Sequence, residues 1–198
     1  MDLWWRSRRG RLVAASVALS GLLVATPLAP VQAMPSPAGA SVALACLIGL
    51  IAPVAVAAGC ARSDSWLESV GNRPTRTYDY LLLMGAVFGV AGLNTAEQAA
   101  GLSAVGHVCS RAGLAYAGLV LIGRSMGSWR SAAVLPAAYL ALVAVAGRGD
   151  DLIHPAWWAW IAADAGEASS WLLTGVSLGL GTLLYWRRSP PLTEAASS

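Results

Sequence analysis

Six times along this chain a run of roughly 16 to 22 apolar residues gives way to a short polar connection, and about 20 such residues are what a helix needs to cross a hydrocarbon core. The runs fall at about 12–31, 38–61, 78–93, 105–123, 131–146 and 171–186. None alternates between polar and apolar positions, as the strands of a membrane barrel do, and lipid admits only helices or closed barrels because every backbone polar group must be satisfied internally. With 57% hydrophobic and 12% charged residues and a mean hydropathy of +0.60, the chain lies outside the range of soluble domains. The pattern predicts one all-α domain over residues 1–198, a polytopic membrane bundle of six transmembrane helices facing the lipid of the plasma membrane.

Arginine sets the orientation, since the chain has no lysine and cytoplasmic loops carry the excess of basic residues. Six spans with both termini in the cytoplasm place eleven of the thirteen arginines inside and leave only Arg111 and Arg148 at or near the outside. Shifting the frame by one span reverses most of that bias. The first run permits a second reading, because Arg6, Arg8, Arg9 and Arg11 precede it and Val31-Gln32-Ala33 follows it, as in a secretory signal peptide with its cleavage site. A signal core has about 7 to 15 apolar residues, and this run is longer, which favours a retained span.

Several function classes are excluded. No basic stripe interleaved with aromatics tracks a phosphate backbone, so nucleic acid is not an expected partner. Cys46, Cys60 and Cys109 have no metal-ligand spacing and read as small hydrophobes. There is no G-x-x-x-x-G-K-[ST], H-E-x-x-H or G-x-S-x-G, so the chain shows no ATP-binding, metalloprotease or serine-hydrolase signature and no cofactor motif. It is not expected to be an enzyme. An intramembrane enzyme would have to draw on Glu97, His107 or His154, and a loop histidine beside Asp150 and Asp151 is ordinarily just solvated.

Three polar features remain. In the inside loop at 62–77, Ser65 and Glu68 form a capping box, Trp66, Leu67 and Val70 share one side at helical spacing, and Gly71 and Pro74 stop the turn. The result is a short amphipathic helix, which either lies in the headgroup region or docks a cytoplasmic partner. Between the third and fourth runs, Asn94, Glu97, Gln98, His107 and Arg111 bring ionisable groups to the membrane, where they are rare and commonly functional. Glu97 and Arg111 are a candidate ion pair across that hairpin. The outer loop at 147–170 holds Trp157, Trp158 and Trp160 among acidic residues, which reads as an aromatic belt at the outer interface.

Taken together, the six spans, the basic N-terminal segment, the short helix between spans two and three and the Trp-rich hairpin before the last span resemble the permease subunits of ABC exporters of the ABC-2 type, in a short six-helix form. The resemblance is one of layout. It implies a coupling helix at Ser65, Trp66, Leu67, Glu68 and Val70 that seats on a separate cytoplasmic ATP-binding subunit, two short re-entrant helices at about 156–163 and 165–170, and a homo- or heterodimer enclosing the path. The alternative is a non-transporting multi-pass protein, such as an assembly, anchoring or immunity factor, whose loops only connect spans. The orientation is checked by engineered cysteines in intact cells: an impermeant maleimide is expected to label a cysteine at Asp164 and not one at Ser69, and the reverse pattern overturns it.

Overall fold

A computed structural model describes residues 10–26, 32–34, 42–61, 75–103, 105–147, 155–163 and 166–187. The described chain is helical: α1 (Gly10–Val24), α2 (Leu44–Ala61), α3 (Thr75–Ala99), α4 (Gly106–Met126), α5 (Trp129–Ala132), α6 (Val134–Ala146) and α7 (Ala168–Arg187). One 3-10 turn, Trp160–Ala162, precedes α7, and a two-stranded antiparallel ribbon, β1 (Gln32–Met34) with β2 (Val42–Ala43), leads into α2. Among the described residues four helices are long and apolar enough to cross a membrane: Leu44–Ala61, Arg76–Ala99, the α5–α6 unit Trp129–Ala146, and Ala168–Arg187.

The other two runs differ from these for physical reasons. At 15 residues α1 rises only about 22 Å at 1.5 Å per residue, because it stops at Val24 where the predicted run continued to 31. Thr26 turns its hydroxyl back to the Leu23 carbonyl at 2.7 Å, and the residue before Pro27 disfavours helical backbone. The 21-residue α4 is long enough but carries His107, Arg111 and Arg124 among its apolar residues, and most of its length is buried against other helices. Packing of α2, α3, α5, α6 and α7 around it makes α4 the axis of the bundle.

Other boundaries also moved. The α3 helix extends to Ala99, past the predicted end at 93, and absorbs Asn94, Thr95, Glu97 and Gln98. It ends at Gly101, whose φ is +73°; the Leu102 N–H donates to the Glu97 carbonyl and the Gly101 N–H to that of Gln98. Those two bonds make a Schellman cap, for which a left-handed glycine is the favoured residue. The fifth run is divided at Ala133, because Pro136 has no N–H to offer the Ala132 carbonyl.

Contacts along the helices give their directions. Cys46, early in α2, clusters with Ala112 and Tyr116, whereas Cys60, late in α2, clusters with Leu121 and Trp129. Arg111 reaches Ser170 and Gly118 meets Gly181, so α2, α4 and α7 run the same way. Asn94 near the end of α3 faces Ser110 near the start of α4, and Gly21 late in α1 faces Glu97, so α1 and α3 run the opposite way. The α5–α6 unit joins them, from Trp129 beside Tyr185 to Tyr139 beside Trp160. The bundle therefore has two ends, a Trp158 end and a Tyr185 end.

Glycine allows the central contacts. A Cβ on Gly118 would stand 2.6 Å from the Ser177 carbonyl carbon and 2.7 Å from the Leu178 nitrogen, and one on Gly49 would stand 2.9 Å from the Cys109 carbonyl oxygen. These obstacles are backbone, which cannot swing aside, and small residues at close helix contacts are the usual means of association in lipid. Gly118→Ala is therefore expected to force α4 and α7 apart and cost about 1–3 kcal/mol, the range for overpacking. Gly89, where a Cβ would meet nothing within 4 Å, is the control: Gly89→Ala should leave stability unchanged or raise it by up to about 1 kcal/mol. Thermal unfolding in detergent micelles compares the two.

Candidate functional site

At the Trp158 end three helices hold one irregular segment. Residues 155–163 return over the bundle between α6 and α7, beginning with a bond from the Ala156 N–H to the Gly147 carbonyl at 2.8 Å. Arg111, on α4 and fully buried, donates from Nη1 to Ser170 Oγ at 2.6 Å and from Nη2 to the carbonyl of Ala163, with a longer contact of 3.5 Å to that of Ile161. Cys46 on α2 donates its thiol to the Ile161 carbonyl at 3.2 Å. Tyr139 on α6 donates its hydroxyl to the Trp158 carbonyl at 2.7 Å, and its ring lies 4.9 Å from that of Trp160. Within the segment Ala159 and Ile161 turn inward and are buried, while Trp157 is 80% exposed on its outer side.

Such a cap is forced by its own backbone. Residues 155–163 contain too little helix to satisfy their carbonyls internally, and an unmet buried carbonyl costs about 1–3 kcal/mol. The planar guanidinium of Arg111 is suited to the task because its fork serves several acceptors at once. The two re-entrant helices expected at 156–163 and 165–170 are not formed: the first is the single turn Trp160–Ala162, and Ala168 to Ser170 are the opening of α7. Trp158 and Trp160 are half-buried against α6, so of the three tryptophans Trp157 alone stands out from the cap as a belt residue would.

Glu97 and Arg111 are not brought together. Arg111 lies about 100° around α4 from Ser110, the residue that faces α3, and is therefore aimed at α7. Glu97 instead faces α1, with Oε1 3.2 Å from the place a Cβ on Gly21 would take. His107 is exposed, and its backbone N–H donates to Gln98 Oε1 at 3.0 Å. Ser65, Trp66, Leu67, Glu68 and Val70 lie outside the described residues, as does His154. Cys46, Cys60 and Cys109 are buried, and none forms a disulfide among the described residues.

The Tyr185 end carries a second cluster that joins four helices. Arg76 at the start of α3 stacks 4.5 Å over the Tyr185 ring and 5.2 Å over that of Trp186, and its carbonyl accepts the Tyr185 hydroxyl at 3.0 Å. Arg124 near the end of α4 lies 5.6 Å over Trp129 of α5, whose ring is 6.2 Å from that of Tyr185. Asp79, one turn after Arg76, is buried here. The sequence offered one signal for Asp79, an acidic residue inside an apolar run three positions after an arginine. Nothing distinguished Cys46, Tyr139 or Ser170, whose roles depend on a segment more than a hundred residues away or on the fold of the cap.

Compared with protein-family models, with curated proteins and with solved structures, the chain matches none.

The clasp is tested by accessibility. A cysteine introduced as Ala159→Cys sits on the buried inner side of the cap and should resist a water-soluble maleimide. Adding Arg111→Leu, which strips the carbonyls of Ala163 and Ile161 of their donor, should make it react at least tenfold faster, equivalent to about 1.4 kcal/mol in the opening equilibrium. Tyr139→Phe should give a smaller rise.

Proposed function

We propose that the chain spans the plasma membrane six times with both termini in the cytoplasm and serves as the permease-like subunit of an ATP-driven exporter. A separate cytoplasmic ATPase seats on the loop at 62–77, and a second copy or a sister subunit completes the path. The observation that carries this reading is the anchoring of α3 where that loop enters it. Arg76 is stacked on Tyr185 and Trp186 of α7, and Tyr185 adjoins Trp129 of α5, which lies under Arg124 of α4. A push delivered to the loop thus meets a joint that moves several helix ends together, as coupling between a motor and a membrane bundle requires.

The glycine contacts of α4 with α2 and α7 support placing a path between two subunits, since backbones this close leave no room along the axis of one. They equally favour a second reading, a non-transporting membrane protein whose bundle is a rigid anchor.

Co-purification separates the two. Detergent-solubilised protein is expected to bring down a Walker-motif ATPase, and Trp66→Ala with Leu67→Ala to lose it while the bundle melts as before. Arg76→Ala should retain the ATPase yet lower its membrane-stimulated turnover several-fold. Recovery of no ATPase, together with coupling-loop variants that behave as wild type, leaves the anchor reading.

A further inference from the structure

On the last turns of α3, Asn94 and Glu97 stand one helical turn apart beneath α1 and α4. Asn94 is fully buried. Its amide nitrogen lies 3.5 Å from Ser110 Oγ and near the Cys109 thiol, while the Ser110 hydroxyl donates to the Gly106 carbonyl at 2.8 Å. Asn94 Oδ1 and Glu97 Oε2 are both out of contact with solvent, and among the described residues neither receives a hydrogen bond. Two acceptors without a donor, one of them able to ionise, are an expensive arrangement inside a protein and more so at membrane depth.

The surrounding groups supply no remedy of their own. From α1, Ser20 gives its hydroxyl to the Ser16 carbonyl, and Gly21 offers only backbone. From α4, Arg111 directs its guanidinium to Ser170 and Ala163, His107 is exposed, and Cys109 and Ser110 face the nitrogen side of the Asn94 amide. From α2, Cys46 gives its thiol hydrogen to Ile161. On α3 itself, Gln98 Oε1 accepts the His107 N–H, and the Gln98 amide nitrogen bonds neither acceptor.

A single hydrogen meets both needs. Side chains at i and i+3 have Cβ atoms about 5–6 Å apart, so a neutral Glu97 carboxyl reaches Asn94 with its own O–H. We infer that Glu97 is a proton-binding site at the Trp158 end of the bundle, carrying at neutral pH a proton that it donates to Asn94 Oδ1. The site sits beside the exposed turn at Gly101 and Leu102, which gives its proton a short route to water. This inference does not rest on the exporter reading: it concerns an equilibrium with solvent protons and holds or fails whether or not an ATPase binds.

Infrared spectroscopy of the full-length protein in nanodiscs at pH 7 tests it. The expected result is a carbonyl band of a neutral carboxyl that is lost in Glu97→Gln and moves in Asn94→Leu, which removes the acceptor. Dicyclohexylcarbodiimide, which attacks protonated carboxyls, assigns the group in the wild type independently of any variant: Glu97 is expected to be modified and the exposed Glu167 not. A wild-type spectrum without the band, or equal modification of the two glutamates, overturns the inference. So does loss of the band on adding sodium chloride at constant pH, which would assign the site to a cation.

Discussion

The backbone of α4 approaches those of α2 and α7 more closely than any side chain would allow, and the arrangement of everything else follows from that approach. In lipid no hydrophobic effect presses helices together, so dispersion between well-fitted surfaces has to hold them. The notches at Gly49 and Gly113 and at Gly118 and Gly181 supply the fit and fix the rotation of α4 about its axis. Once that rotation is set, Ser110 must meet α3 and Arg111 must meet α7. The arginine is thus committed to the cap by packing some turns away from it.

Each end of the bundle solves a different problem. At the Trp158 end an irregular segment has to be buried, and its carbonyls are met by an arginine, a tyrosine and a cysteine drawn from three helices. At the Tyr185 end the helices have to be tied where the chain leaves them, and arginines stacked on aromatic rings do this, a contact that keeps the charge near water while the ring stays in the apolar phase. The first solution covers buried backbone and the second makes a joint.

The helices themselves were legible in the sequence because a run of about 20 apolar residues has few other uses. Four of the six runs are borne out as helices long and apolar enough to span. Their ends were harder to read wherever a polar residue proved to be buried. Asn94 to Gln98 read as a loop by composition, yet Ser110 and His107 across the hairpin give those side chains partners, and the glycine that does end the helix lies at position 101. The pairing of Glu97 with Arg111 failed for a related reason. Proximity in a hairpin was visible in the sequence, whereas the rotation of each helix depends on glycine contacts with α2 and α7 that no local pattern encodes. The cap was legible only as a cluster of tryptophans, since its shape is set by distant donors.

The shared direction of α2, α4 and α7 has an electrostatic consequence. Against α1, α3 and α6, which run the other way, these three touching helices add their macrodipoles. Their amino termini, each bearing about half a positive charge, converge on the end where Arg111 is buried, and their carboxyl termini converge where Arg124 and Arg187 lie in the last turns. At the first end the carboxyl termini of α1, α3 and α6 lie alongside and offset that positive charge. Arg111 therefore sits in a nearly balanced field, and the carbonyl dipoles of the cap, turned inward toward it, supply the negative potential that makes its position tenable.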